Sequence, residues 1–220
     1  MSKHLERDLE RLKKQLLEAG TLVEEMANKA AYSLTERRPD LAAEVIAADN
    51  EIDEREVNIE EECLKILALH QPVASDLRFV ITVMKVNNDL ERMGDQAVNV
   101  AERASYLASK PPLGIPLDFN RMVEAVRAMV RASLDALVNL DVELARGIGR
   151  MDDEVDEIHS EMFNILQDRM REDPDTVARA TAYLSASKDL ERIADLATNI
   201  AEDVVFMVEG EVIRHRGGGA

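Results

Sequence analysis

One fourteen-residue phrase occurs twice: DLERMGDQAVNVAE at residues 89–102 and DLERIADLATNIAE at residues 189–202, one hundred residues apart and differing at five positions. A chain that repeats an acidic, aliphatic phrase at a fixed offset is built from a duplicated unit, and the fold that serves one copy has to serve the other. The duplication extends upstream. Asp40-Leu41-Ala42 aligns with Glu143-Leu144-Ala145, and Asp49, Asp53 and Glu54 align with Asp152, Asp156 and Glu157.

Apolar residues recur at spacings of three and four throughout, and there is neither sustained alternation nor a hairpin signal. Aromatic residues make up 3% and tryptophan is absent, the composition of long helices packed on aliphatic side chains. Proline and glycine then mark the breaks. Arg38-Pro39-Asp40 separates a helix over 3–37 from one over 40–70, and Gln71-Pro72 opens a third over 73–109. Lys110-Pro111-Pro112-Leu113-Gly114 is the domain boundary. Helices over 118–139, 142–172 and 175–209 repeat the plan, with Asp173-Pro174 before the last. Helices of about 30 residues run about 45 Å. The expected fold is all-α: two tandem antiparallel three-helix bundles side by side, over residues 1–110 and 111–212, with a disordered tail at 213–220.

Ten acids and only Arg55 lie between Asp40 and Glu62, and the whole chain carries a formal charge of −17. Such a surface repels phosphate backbones, so nucleic acid is not an expected partner; cations and basic proteins are. The single Cys63 excludes an intrachain disulfide and fits a reducing compartment. The opening MSKHLERDLERLKKQ is charged where a signal peptide is apolar, and no run reaches the roughly 18 apolar residues of a membrane span. A cytoplasmic location is expected.

The acids form stripes. At about 100° per residue, Glu91, Asp95, Asn99 and Glu102 share one arc of a helix, as do Glu191, Asp195, Asn199 and Glu202. Leu77, Val80 and Met84 continue the first arc, so it is not simply a solvated face. On the second helix Asp49, Asp53, Glu56 and Glu60 fall on one line between Ala42 and Val45 above and Cys63 and Leu67 below, which places four acids in a core-facing seam. The matching line in the second half is Asp152, Asp156, His159 and Phe163. Like charges four apart cost a helix about 0.2–0.5 kcal/mol per pair, and more when desolvated, unless they are paired, protonated or metal-bound. Arg92 and Arg192 are placed to pair sideways with the neighbouring glutamates, not to fill the centre of a stripe. Two oxygen-rich stripes on adjacent helices form a cage for multivalent cations, magnesium, manganese and calcium among them. The alternative is a solvated face with empty stripes. Cys63 and the ten methionines sit at core spacing.

Enzyme signatures are lacking: no phosphate loop, no Gly-x-Ser-x-Gly elbow and no Cys/His zinc spacing. A di-iron oxidase wants Glu-x-x-His on two helices, and this chain offers Asp156-x-x-His159 once.

With the phrase at 89–102 and 189–202, and Gln71-Pro72-Val73-Ala74-Ser75-Asp76-Leu77-Arg78 opening the third helix, the chain resembles the PhoU family over essentially its whole length. The resemblance implies two three-helix repeats and a non-enzymatic negative regulator of phosphate uptake and phosphate-starvation signalling. Its implied partners are the ATP-binding subunit of the phosphate ABC transporter and a phosphate sensor histidine kinase, met at the inner face of the membrane. It also implies iron or zinc clusters on the Glu-x-x-x-Asp motifs. Carried over, Glu91, Asp95 and Asn99 with Asp49 and Asp53 form one site, and Glu191, Asp195 and Asn199 with Asp152 and Asp156 the other. Gln96 and Leu196 stand where the family often has histidine, and Ala194 replaces the usual glycine. A homodimer is expected from long amphipathic helices with a second apolar strip. A metal-free structural adaptor and a metal-dependent enzyme are the two competing readings.

Overall fold

The computed structural model describes residues 3–210; the tail expected at 213–220 lies outside the described residues. Six helices follow in order: α1 (Lys3–Thr35), α2 (Pro39–His70), α3 (Ala74–Ala108), α4 (Phe119–Asn139), α5 (Val142–Glu172) and α6 (Val177–Glu209). A 3₁₀ turn, Pro174–Thr176, takes the first turn expected of the last helix. Asp173 Oδ1 accepts the Asp175 N–H there at 3.2 Å.

The helix ends have local causes. Pro39 starts α2 with the φ a first turn requires. Asp118 and Asp141 accept the N–H groups of Arg121 and Leu144 at 3.1 and 3.0 Å, capping α4 and α5. α2 stops at Gln71, which is forced out of the right-handed helix by Pro72 and turns left-handed at φ 46°. Between the halves, the linker carbonyls of Pro111 and Pro112 accept hydrogen bonds from Arg179 of α6, and Arg37 donates to the carbonyls of Leu107 and Ala108 at the end of α3.

On α2 the buried line is Val45, Ile52, Ile59 and Ile66, seven apart and at most 1% exposed. Ile148, Val155 and Met162 repeat it on α5. This corrects the placement of the acids. Asp49, Asp53, Glu56 and Glu60 do not occupy the seam itself; they lie to one side of it, Asp49 and Glu56 by about 60° and half-buried, Asp53 and Glu60 by about 100° and exposed. The seam goes to the isoleucines because an aliphatic side chain gains about 1.5–3 kcal/mol on full burial, whereas a carboxylate loses solvation.

Each half is an antiparallel three-helix bundle, and the two lie side by side along α3 and α6, with α1 against α4. Gly20 permits that second contact: a Cβ there would stand 2.9 Å from Leu134 Cδ2. One continuous core contains residues of all six helices. α3 and α6 run antiparallel, since Arg78 near the start of α3 lies beside Gly210 just past the end of α6, and Lys85 meets Asp203. The two copies of the repeated phrase therefore cross each other at the middle of the molecule.

Candidate functional site

In the first half, α2 and α3 pass each other antiparallel and oppose their acids along the flank of the core. The charges of Asp95, Glu56 and Asp53 act on Glu91, and those of Asp53, Asp95 and Glu102 act on Asp49. Burial first, then these neighbours, pushes Glu91 up from 4.5 to about 7. Asp49, Glu56 and Asp95 are raised in the same way, with burial the largest cause for each. Asp49 Oδ1 is buried and finds no hydrogen-bond partner.

The second half repeats the arrangement. On α5 and α6, burial and the charge of Asp195 push Asp152 up from 3.8 to about 6, with Asp156, Asp153 and Glu191 adding to it. Asp156 is raised as well, by burial first and then by the charge of Glu191. Asp195 is raised by burial and by Glu191. Asp152 Oδ1, the counterpart of Asp49 Oδ1, is likewise buried without a partner. A cavity of about 450 Å³ opens beside it, lined by Arg92, Gln96, Arg192, Asp195, Leu196, Thr198 and Asn199.

The ten residues expected from the sequence thus fall into two sets. The electrostatic couplings bring together Asp49, Asp53, Glu91 and Asp95 in one and Asp152, Asp156, Glu191 and Asp195 in the other; Asn99 and Asn199 lie half-buried one turn further along α3 and α6. Among the described residues no three His, Cys, Asp or Glu side chains are gathered closely enough to hold a metal ion as they stand. The donor chemistry fits a hard cation, with partnerless buried oxygens facing like charges, but the arrangement is of opposed carboxylates and not a closed cage.

Other side chains are committed elsewhere. Arg92 and Arg192 pair with Asp89 and Asp189, three residues back, at 3.3 and 3.7 Å, and not with the glutamates. His159 Nδ1 is 3.0 Å from Ser187 Oγ, within hydrogen-bonding distance, and Ser187 Oγ also lies 2.9 Å from the Leu184 carbonyl oxygen. Cys63 is in the core, its thiol pushed up to about 12 by burial.

The sequence reading left two residues of these grooves out. Glu56 couples directly to Glu91, and its place on the Asp49–Asp53 line was the signal. Lys188 forms an ion pair with Glu191, where the first repeat has Asn88. The i,i+3 spacing of Lys188 and Glu191 was visible in the sequence.

A tandem pair of three-helix repeats, each setting an acidic α-helical phrase against acids of the preceding helix, defines the class. The PhoU domain matches twice, over residues 16–104 and 119–204, and the chain belongs to that family. It is 40% identical over 210 residues to a phosphate-specific transport system accessory protein PhoU homolog of Aquifex aeolicus, covering 96% of this chain and 95% of that one. It is 38% identical over 219 residues to the homolog of Pseudomonas putida, covering 99% of this chain and 85% of the relative. The crystal structure of PhoU from Pseudomonas aeruginosa superposes with a TM-score of 0.91 at 38% identity, covering 94% of this chain and 99% of that one. The phosphate transport system regulatory protein PhoU from Streptococcus pneumoniae does so at 0.88 and 30% identity, covering 95% and 99%.

Proposed function

We propose that this chain is a non-enzymatic accessory regulator of phosphate uptake that holds the phosphate-starvation response off when phosphate is plentiful. Its partners in this reading are the ATP-binding subunit of the phosphate ABC transporter and a sensor histidine kinase, which it meets in the cytoplasm at the inner face of the membrane. The observation that carries the reading is the full-length relationship, in both repeats, to proteins named as phosphate transport accessories. No described helix is long and apolar enough to cross a membrane, which suits attachment through partners. Deleting the gene in its host is expected to raise a phosphate-starvation reporter in replete medium; unchanged output would remove the regulatory role.

The finer reading is that the acidic grooves bind multivalent metal, iron or zinc first, with Asp49, Asp53, Glu91, Asp95 and Asn99 serving one half and Asp152, Asp156, Glu191, Asp195 and Asn199 the other. A bound cation would neutralise carboxylates that now repel one another across two helices. The partnerless oxygens of Asp49 and Asp152 support it. Elemental analysis of protein purified without chelator decides it. Asp95→Asn and Asp195→Asn should each lower metal in their own half and leave the metal-free fold intact. A metal-free wild type whose melting is insensitive to chelator would leave the structural adaptor instead.

We also read the chain as a homodimer. Val57 and Leu64 of α2 and Leu69 and Val73 at its end are exposed by 50–73% and supply apolar surface for a second copy. A monomeric mass by light scattering at micromolar concentration would end that reading.

A further inference from the structure

The two acidic grooves are not equal, although the phrase that builds them is repeated. In the first, none of Asp49, Asp53, Glu56, Glu91 and Asp95 forms an ion pair among the described residues; Arg92 only leans on Glu91 from outside while bonded to Asp89. In the second, the Lys188 ammonium is bonded to the Glu191 carboxylate, and Glu191 is 14% exposed. The same ammonium also acts on Asp156 and Asp195, so its charge reaches three of the four carboxylates of the groove. The first repeat has the neutral Asn88 at that position. Two further differences run the same way: Glu56 of the first groove corresponds to His159, which is occupied with Ser187, and Glu60 corresponds to Phe163.

We propose that Lys188 is a built-in counter-cation of the second groove, and that the first groove is therefore the one that takes a divalent cation more tightly. The preference rests on the metal reading above; the role of Lys188 as counter-cation does not. A lysine and a divalent ion compete for the same oxygens, and an ammonium a few ångströms from the ion repels it even in a water-like dielectric. The protein thereby carries one groove already partly neutralised and one with its repulsion intact.

Two experiments on the full chain test this separately. The first titrates manganese(II), which takes all-oxygen sites, into chelator-stripped protein by calorimetry, with Asp95→Asn or Asp195→Asn silencing one half at a time. The first groove should bind more tightly than the second. Lys188→Met should tighten the second by about three- to tenfold and Asn88→Lys should weaken the first by a similar factor. Tighter binding in the second groove of the wild type, or no change on Lys188→Met, overturns the preference. The second experiment is melting of the metal-free protein in chelator. Methionine matches lysine in helix propensity, so Lys188→Met isolates the charge. It should lower Tm, and Asn88→Lys should raise it relative to Asn88→Met, each by about 1–3 °C. If manganese binds neither groove, the preference falls and melting alone decides the role of Lys188. If neither substitution moves Tm, Lys188 is not a counter-cation.

Discussion

Lys85 Nζ on α3 stands 3.2 Å from Asp203 Oδ1 on α6, and 4.8 Å above the ring of Phe206. The pair clasps the two halves at one end of their crossing. Asp203 is 2% exposed and Lys85 39%, so the carboxylate depends on protein partners while the ammonium keeps part of its hydration. Lys85→Met should destabilise the fold by about 1–3 kcal/mol, because it strips a charge-assisted bond from a buried carboxylate. Urea denaturation checks this, and a loss below about 0.5 kcal/mol would show that the other contacts of Asp203 suffice.

The first acidic groove predicts the direction of a pH effect. Glu91 is raised from 4.5 to about 7 by burial, Asp95, Glu56 and Asp53, against a small opposing pull from Arg92. Between those two values the folded state holds a proton that the unfolded state releases, so folding is favoured at the acid end and the advantage is lost as pH rises through 7. In chelator, Glu91→Gln should flatten the dependence of Tm on pH over about pH 5–8 and raise Tm most at the alkaline end. Parallel curves for wild type and variant would contradict the assignment of burial and repulsion to this carboxyl.

Gly94 and Ala194 occupy the same place in the two copies of the phrase and are not interchangeable. A Cβ at Gly94 would meet Ile52 Cγ2 at 3.2 Å and Met26 Cε at 3.6 Å, whereas Ala194 already carries its Cβ in a fully buried position. Gly94→Val should cost about 1–3 kcal/mol by overpacking against Ile52. Ala194→Gly should cost about 1–2 kcal/mol, from backbone freedom together with the loss of a buried methyl. Equilibrium denaturation of both variants tests this. A larger loss for Ala194→Gly than for Gly94→Val would refute the packing difference.

Asp141 caps α5 through Leu144 N–H at 3.0 Å, and α5 carries Asp152 and Asp156. Asp141→Ala should lower stability by about 1 kcal/mol. Hydrogen exchange is expected to quicken in the first turn of α5 and not at Asp152. Uniform quickening along the helix would mean that the cap holds the whole of α5 in place.

The periodicity of three and four, the prolines and glycines at the breaks, and the duplicated phrase were enough to place the six helices and pair them into two bundles, because each is a local property of the chain or of its repetition. Spacing also put Glu91 with Asp95, and Asp49 with Asp53, on common helix faces, and these faces do oppose one another. What spacing alone did not resolve was the last 60° of rotation: whether Asp49 or Ile52 takes the centre of the seam depends on which face of α2 meets α1 and α3 at once, and burial of the isoleucines decided it. The antiparallel crossing of α3 and α6, which brings Arg92 and Arg192 to one cavity, is a long-range contact that no local pattern encodes. The inequality of the grooves lies between these cases. Asn88 and Lys188 are plain in the sequence, but the reach of the Lys188 charge to Asp156 on α5 exists only once α5 and α6 are packed together.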